Sequence, residues 1–137
     1  MKYACLVYHD PTKLADLSEA EQLAAIIAEC EAAGAWKAEV EKGGHLVYSA
    51  GLQSVRTATT VRRSNGKLSM TDGPFAETKE FLGGFTIIEA RDLNEALQLV
   101  SRFASALVTI EVRPIKDANA DLTDPLDQKI VAAMERP

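Results

Sequence analysis

The chain has 137 residues, 47% of them hydrophobic and 26% charged, the profile of one folded domain with a core rather than of a disordered chain. The formal net charge of −5 argues against a general nucleic-acid binder, because neutralising phosphates takes clustered Lys and Arg, and Arg62–Arg63 is the only adjacent basic pair. No apolar run approaches the ~20 residues that a membrane-spanning helix takes. The opening MKYACLVYHD reads as a first strand rather than a signal peptide, so a cytoplasmic protein that meets no membrane is expected.

Lys2 to Tyr8 is β-rich and largely apolar, as in a strand buried on both faces. His9-Asp10-Pro11 ends it, since proline donates nothing to a ladder. Ser18 with Glu21 is a capping box that opens a long helix. Leu23, Ile26, Ile27, Cys30 and Ala33 form its expected buried stripe, and Gly43-Gly44 stops it. The two cysteines, Cys5 and Cys30, are expected as buried, reduced thiols. With two histidines besides, the three or four ligands of a metal site are lacking; no metal and no cofactor are expected.

His45 to Ser49 is a short strand pattern. Thr57 to Arg63 and Lys67 to Thr71 are strands joined by Ser64-Asn65-Gly66, where Asn-Gly tolerates the positive φ of a tight hairpin turn. Phe85 to Ala90 is a further strand. Asp92 and Glu95 cap a second helix whose stripe is Leu93, Ala96, Leu97 and Val100. Leu107 to Arg113 alternates, with Val108, Ile110 and Val112 on one face and Thr109, Glu111 and Arg113 on the other. Residues 117–137 form an appendage to a domain of residues 1–116: an acidic loop, then a short amphipathic helix opened by Asp124-Pro125 with Leu126, Ile130 and Met134 on one side.

The order is β-α-β, a hairpin, then β-α-β. Without the hairpin this is the ferredoxin-like βαββαβ pattern of the α+β class. Both helices lie on one face of such a sheet, yet the strands are apolar on the other face too. An apolar second face calls for a cover, and a two-fold homodimer supplies it.

The least ordinary stretch is SMTDGPFAETKEFLGGF, residues 69–85. Pro74 presets a turn with Phe75 at its corner, and Gly73, preceding it, is expected to be extended. The paired Gly83-Gly84 at a strand entrance implies close approach of another backbone or of a ligand. TDGPFAETKEFLGGFTIIEARDLNEA, with GLQSVRTATTVR upstream and IEVRPI downstream, resembles the DGPF-signature branch of the YCII-related family over most of residues 2–115. The resemblance implies a ferredoxin-like subunit that pairs into a dimeric α/β barrel with a pocket beside the sheet. Smaller members of the family carry a histidine near the start of the first helix and an aspartate after the second. Here those segments read SEAEQLAA and RFASALVT, so that pair is not carried over.

Candidate residues follow. His9 with Asp10 or Asp72 offers an imidazole and a carboxylate suited to acid–base work if they meet, the alternative being that both aspartates only cap turns. Tyr8, Asp72, Phe75, Lys79, Phe85 and Arg113 are the expected lining of a small-molecule pocket. Glu77 or Glu80 is expected to pair with Arg62, Arg113 or Lys79, since partly buried long charged side chains pair. Two functions fit: a dimer that binds a small organic molecule, or a cofactor-free enzyme (lyase, isomerase or monooxygenase type) acting on a small organic acid or phenol.

Overall fold

The computed structural model describes residues 1–116 and 122–136. Its elements are β1 (Lys2–His9), α1 (Glu19–Lys42), β2 (Leu46–Gly51), β3 (Thr59–Ser64), β4 (Lys67–Asp72), β5 (Phe81–Glu89), α2 (Leu93–Ser101), β6 (Val108–Pro114) and α3 (Pro125–Met134). Four strands form one antiparallel sheet in the order β2-β5-β1-β6, the arrangement of the split βαβ pattern. The hairpin β3–β4 is a separate two-stranded sheet, standing outside the main one. Residues 117–121, in the expected acidic loop, lie outside the described residues.

Local chemistry builds these elements as the sequence requires. The Ser18 hydroxyl accepts from the Glu21 amide at 3.2 Å, and Asp92 accepts from the Glu95 amide at 2.9 Å; each satisfies a donor that the helix start leaves orphaned. At the far end of α1 the His45 amide donates to the Val40 carbonyl and the Gly44 amide to the Glu41 carbonyl, a Schellman cap. Asn65 and Gly66 sit at φ 52° and 77°, the two positive angles of a type I′ hairpin turn.

The core lies between one sheet face and the two helices. Tyr3, Cys5 and Ile88 from the sheet meet Trp36 and Val40 of α1 and Ala96 and Val100 of α2. Trp36 stacks on Phe103 with ring centroids 5.1 Å apart, and its indole N–H donates to the Leu99 carbonyl at 2.8 Å. This corrects the expected stripe of α1. Leu23, Ile26, Ile27 and Cys30 are exposed, while Gln22, Ala25, Glu29, Ala33, Trp36 and Val40 turn toward the sheet. The indole fixes the helix about its axis, and the more apolar stripe, roughly 100° round at 100° per residue, is left outside. In α2 only Ala96 and Val100 are buried, and Leu93 and Leu97 stay half exposed.

The other sheet face is uncovered. Ala4, Leu6 and Tyr8 of β1 and Phe85 and Ile87 of β5 alternate with the core residues and are only partly buried, so β1 is buried on one face and not on both. α3 keeps Leu126 and Met134 exposed; its described tie to the domain is a Lys116–Asp127 ion pair of 2.7 Å.

Gly84 packs directly under β2. A Cβ there would lie 2.9 Å from the Ala50 carbonyl oxygen and 3.3 Å from the Gly51 Cα, both backbone atoms that cannot swing aside. Gly84→Ala should therefore destabilise the fold by about 1–3 kcal/mol, read as a lowered midpoint in urea unfolding. An unchanged midpoint would show that β2 shifts freely.

Candidate functional site

Because α1 is anchored at Trp36 and Val40, its first half stands away from the sheet. Between them opens a cavity of about 620 Å³, inside the ~300–1,000 Å³ range of small-molecule sites. α1 contributes Ile26, Cys30 and Ala33, and the sheet contributes Thr86, Gly83 and Val108. The residues after β2, Leu52 to Ser54, close one side. Its walls are mostly apolar. The Ser49 and Thr86 hydroxyls, 2.9 Å apart, satisfy each other, and Glu29 accepts from the Ser105 hydroxyl at 2.8 Å.

One end of the cavity is polar. Asp10 ends β1 with its side chain only 3% exposed. Its Oδ1 accepts from the Thr12 amide at 2.9 Å and from the Thr12 hydroxyl at 2.6 Å. The Lys79 ammonium stands 3.5 Å from Oδ2. These partners hold the carboxyl below the usual range: the Thr12 hydroxyl hydrogen bond is the largest influence, opposed by desolvation and helped by the Thr12 amide and Lys79. Asp10 is thus an ionised acceptor at neutral pH. Beside it the His9 ring lies 5.7 Å from the Phe81 ring and close against Gly83, where any methyl group would overlap the imidazole. The register slip between Val7 and Tyr8 opposite β5 is the irregularity that accommodates this packing. Gly83 and Gly84 are therefore small for two different neighbours, a side chain and a strand.

The sequence candidates fall into three places. His9 lines the cavity next to Asp10, and Lys79 reaches Asp10 from outside the lining, with its side chain mostly exposed. Tyr8 and Arg113 belong to the opposite, open face, where Arg113 pairs with Glu111 at 2.7 Å; Phe85 borders the cavity as expected, with its ring 5.9 Å from that of Tyr48. Asp72 stands opposite Thr59 in the hairpin, and Phe75 is 75% exposed. His9 and Asp72 thus sit on different sheets.

The signature loop is held by hydrogen bonds to main-chain oxygens and not by its own acids. Arg62 donates to the Phe75 carbonyl at 3.0 Å, the Thr60 hydroxyl to the Gly73 carbonyl at 2.8 Å, and the Gly73 amide to the Ala58 carbonyl at 2.7 Å. Among the described residues neither Glu77 nor Glu80 has a cation within ion-pair distance, which corrects the expected pairing. Lys79 is drawn instead to Asp10, a carboxylate already desolvated and so the stronger attractor. Gly73 has φ 96°, a left-handed angle, rather than the ordinary extended one; the position before the proline demands glycine.

Asp10 is the residue that sequence reasoning undervalued. The signal was present in Asp-Pro-Thr (10–12), an Asx-type turn in which aspartate caps the residues after it. What sequence alone lacked was that Lys79, 69 positions away in the chain, closes on the same carboxylate. A second cavity, of about 470 Å³, lies at the other end of α1 among Trp36, Val40, His45 and Leu99. The Arg102–Glu39 ion pair of 2.8 Å sits on it.

Among known proteins, an uncharacterised protein of Rhizobium meliloti (strain 1021) is 35% identical over 118 residues, which is 84% of this chain and 92% of that one. The YCII-related domain model matches residues 1–119, from the start of β1 past the end of β6 and so across the whole four-stranded sheet and both its helices. The chain belongs to the YCII-related family.

Proposed function

We propose that this protein binds a small organic molecule in the cavity between α1 and the sheet. The observation that carries the reading is the buried, ionised Asp10 at one end of a chamber whose walls are mostly apolar. Small-molecule sites combine apolar walls with a few fixed polar groups. A ligand of this shape places a hydrogen-bond donor on Asp10 Oδ2, where Lys79 is 3.5 Å away, and an apolar body along Ile26, Ala33 and Val108. Lys79 is then the signature residue that meets the ligand. Tyr8 belongs to the open face, which a second copy covers to form a dimeric α/β barrel.

A cofactor-free enzyme is the second reading, and the position of His9 favours it. Asp10, its carboxyl held below the ordinary range, is a poor proton acceptor near neutrality. The imidazole next to it stands on the cavity wall, where a ring nitrogen can take up or give back a proton of a bound molecule.

Three measurements test this. A thermal-shift screen of small acids, phenols and amines should yield a ligand that stabilises the wild type by about 2.7 kcal/mol at a hundred times its Kd. Ala33→Phe, which fills the chamber, should abolish that response, while Phe75→Ala should keep it. The reverse pattern moves the site to the signature loop.

Asp10→Asn should destabilise the protein in a pH-dependent way. A folded pKa below the ordinary 3.8 gives a contribution present above that value and lost as pH falls through the folded pKa. The gap between wild type and Asp10→Asn should accordingly be constant near neutrality and shrink below about pH 4. A gap independent of pH down to acid unfolding would mean that the carboxylate is not held ionised.

Light scattering should give twice the chain mass, and Ile87→Arg, in the middle of the open face, should give the single-chain mass with the far-UV spectrum retained. A monomeric wild type at micromolar concentration rejects the barrel.

A further inference from the structure

Two exposed apolar faces of this chain match each other in shape and oppose each other in charge. The first is on the hairpin. Val61 lies opposite Met70 and Arg63 opposite Leu68, so Val61, Met70 and Leu68 share one face, and all three are more than half exposed. From Arg56 to Thr71 the chain carries Arg56, Arg62, Arg63 and Lys67 and no acid. The second face is on α1. Leu23, Ile26 and Ile27 form an exposed stripe, with Glu19 one turn before Leu23 and Glu31 one turn after Ile27. Between Lys13 and Lys37 there are five acids and no Lys or Arg. A net charge of −5 for the whole protein conceals this segregation into a cationic arm and an acidic helix face.

We infer that the hairpin of one chain docks its Val61–Leu68–Met70 face on the Leu23–Ile26–Ile27 stripe of a second copy, with Arg63, which shares that face, against Glu19 and Glu31, while Arg62 and Lys67 stand on the hairpin's other face. Within one chain both faces are exposed, so the hairpin does not sit on its own helix. A two-fold axis makes the contact twice, each chain giving an arm and receiving one. The extents agree: Leu23 to Cys30 covers about 10 Å of helix at 1.5 Å per residue, and the two apolar cross-strand rows of the hairpin cover about 7 Å. So does the reach. Six-residue strands extend about 20 Å, twice the ~10 Å between stacked sheets, which carries the arm past a covering sheet to the helix layer. The apolar row sets this surface apart from a phosphate-binding one, where cations alone line the contact. The stripe shares Ile26 and Cys30 with the edge of the cavity, and cross-linking reads the contact with no ligand added.

Cys30 lies at the end of the stripe and is exposed, whereas Cys5 is buried, so the protein carries its own reporter. In Met70→Cys protein, mild oxidation with copper phenanthroline should give a disulfide-linked dimer on non-reducing gels. The Met70→Cys/Cys30→Ser protein and the wild type should show at least tenfold less. Adding Arg63→Glu should slow the cross-link at least threefold at low salt, and adding Glu19→Lys and Glu31→Lys to that protein should restore it, a rescue that misfolding would not allow. A disulfide between Cys30 and the introduced thiol of the same chain, or no cross-link above the wild-type level, overturns the inference. So does efficient capture of Cys30 by Met134→Cys, which would make α3 the occupant.

Discussion

The distinctive features of this fold follow from where Trp36 sits. Its ring stacks on Phe103 and its N–H reaches the Leu99 carbonyl, so one residue ties the C-terminal half of a 24-residue helix to α2 and to the segment that follows it. A buried indole with its donor satisfied is a strong rotational lock, because turning the helix would bury a more apolar stripe only by stranding that N–H. The cavity, the exposed stripe of α1 and the accessible Cys30 are three results of this single lock.

The polar end of the cavity shows how charge is stabilised in little space. Asp10 is out of water yet keeps its charge, since desolvation is offset by two short hydrogen bonds from Thr12 and by Lys79. The signature segment supplies the lysine, while hydrogen bonds from Arg62 and Thr60 to its carbonyls fix the path of that segment from the hairpin back to β5. The hairpin, although outside the main sheet, thereby helps position the lysine that meets Asp10 at the edge of the cavity. The tight packing of His9 on Gly83 and of Ala50 on Gly84 keeps the floor of the site from adjusting.

Much of the fold was legible in the sequence because its signals are local. Ser18 and Asp92 as caps, Asn65-Gly66 as a turn and the alternation of Val108, Ile110 and Val112 each act within a few residues, and each is where the pattern placed it. The orientation of α1 was not legible. Periodicity ranks stripes by hydrophobicity, and here a stripe of Gln22, Ala25, Glu29 and Ala33 turns inward because Trp36 and Val40, further along the helix, decide the rotation. The site was half legible for a similar reason. His9 and Lys79 were recognised as polar residues of interest, but the carboxylate that joins them looked like a turn residue. Its second role depends on a contact across 69 positions of chain that no local rule encodes. The charged pairing expected of Glu77 and Glu80 failed because Lys79 had a better partner.

The two thiols, alike in sequence, are opposite in exposure. Cys5 faces the core, and burial pushes its pKa up to about 11, so at neutral pH almost none of it is the nucleophilic thiolate. Cys30 is exposed at the edge of the cavity. The thiol that a reagent in solvent can reach is therefore the one on α1, and a bulky alkyl group attached there would crowd the chamber while leaving the packing around Cys5 intact.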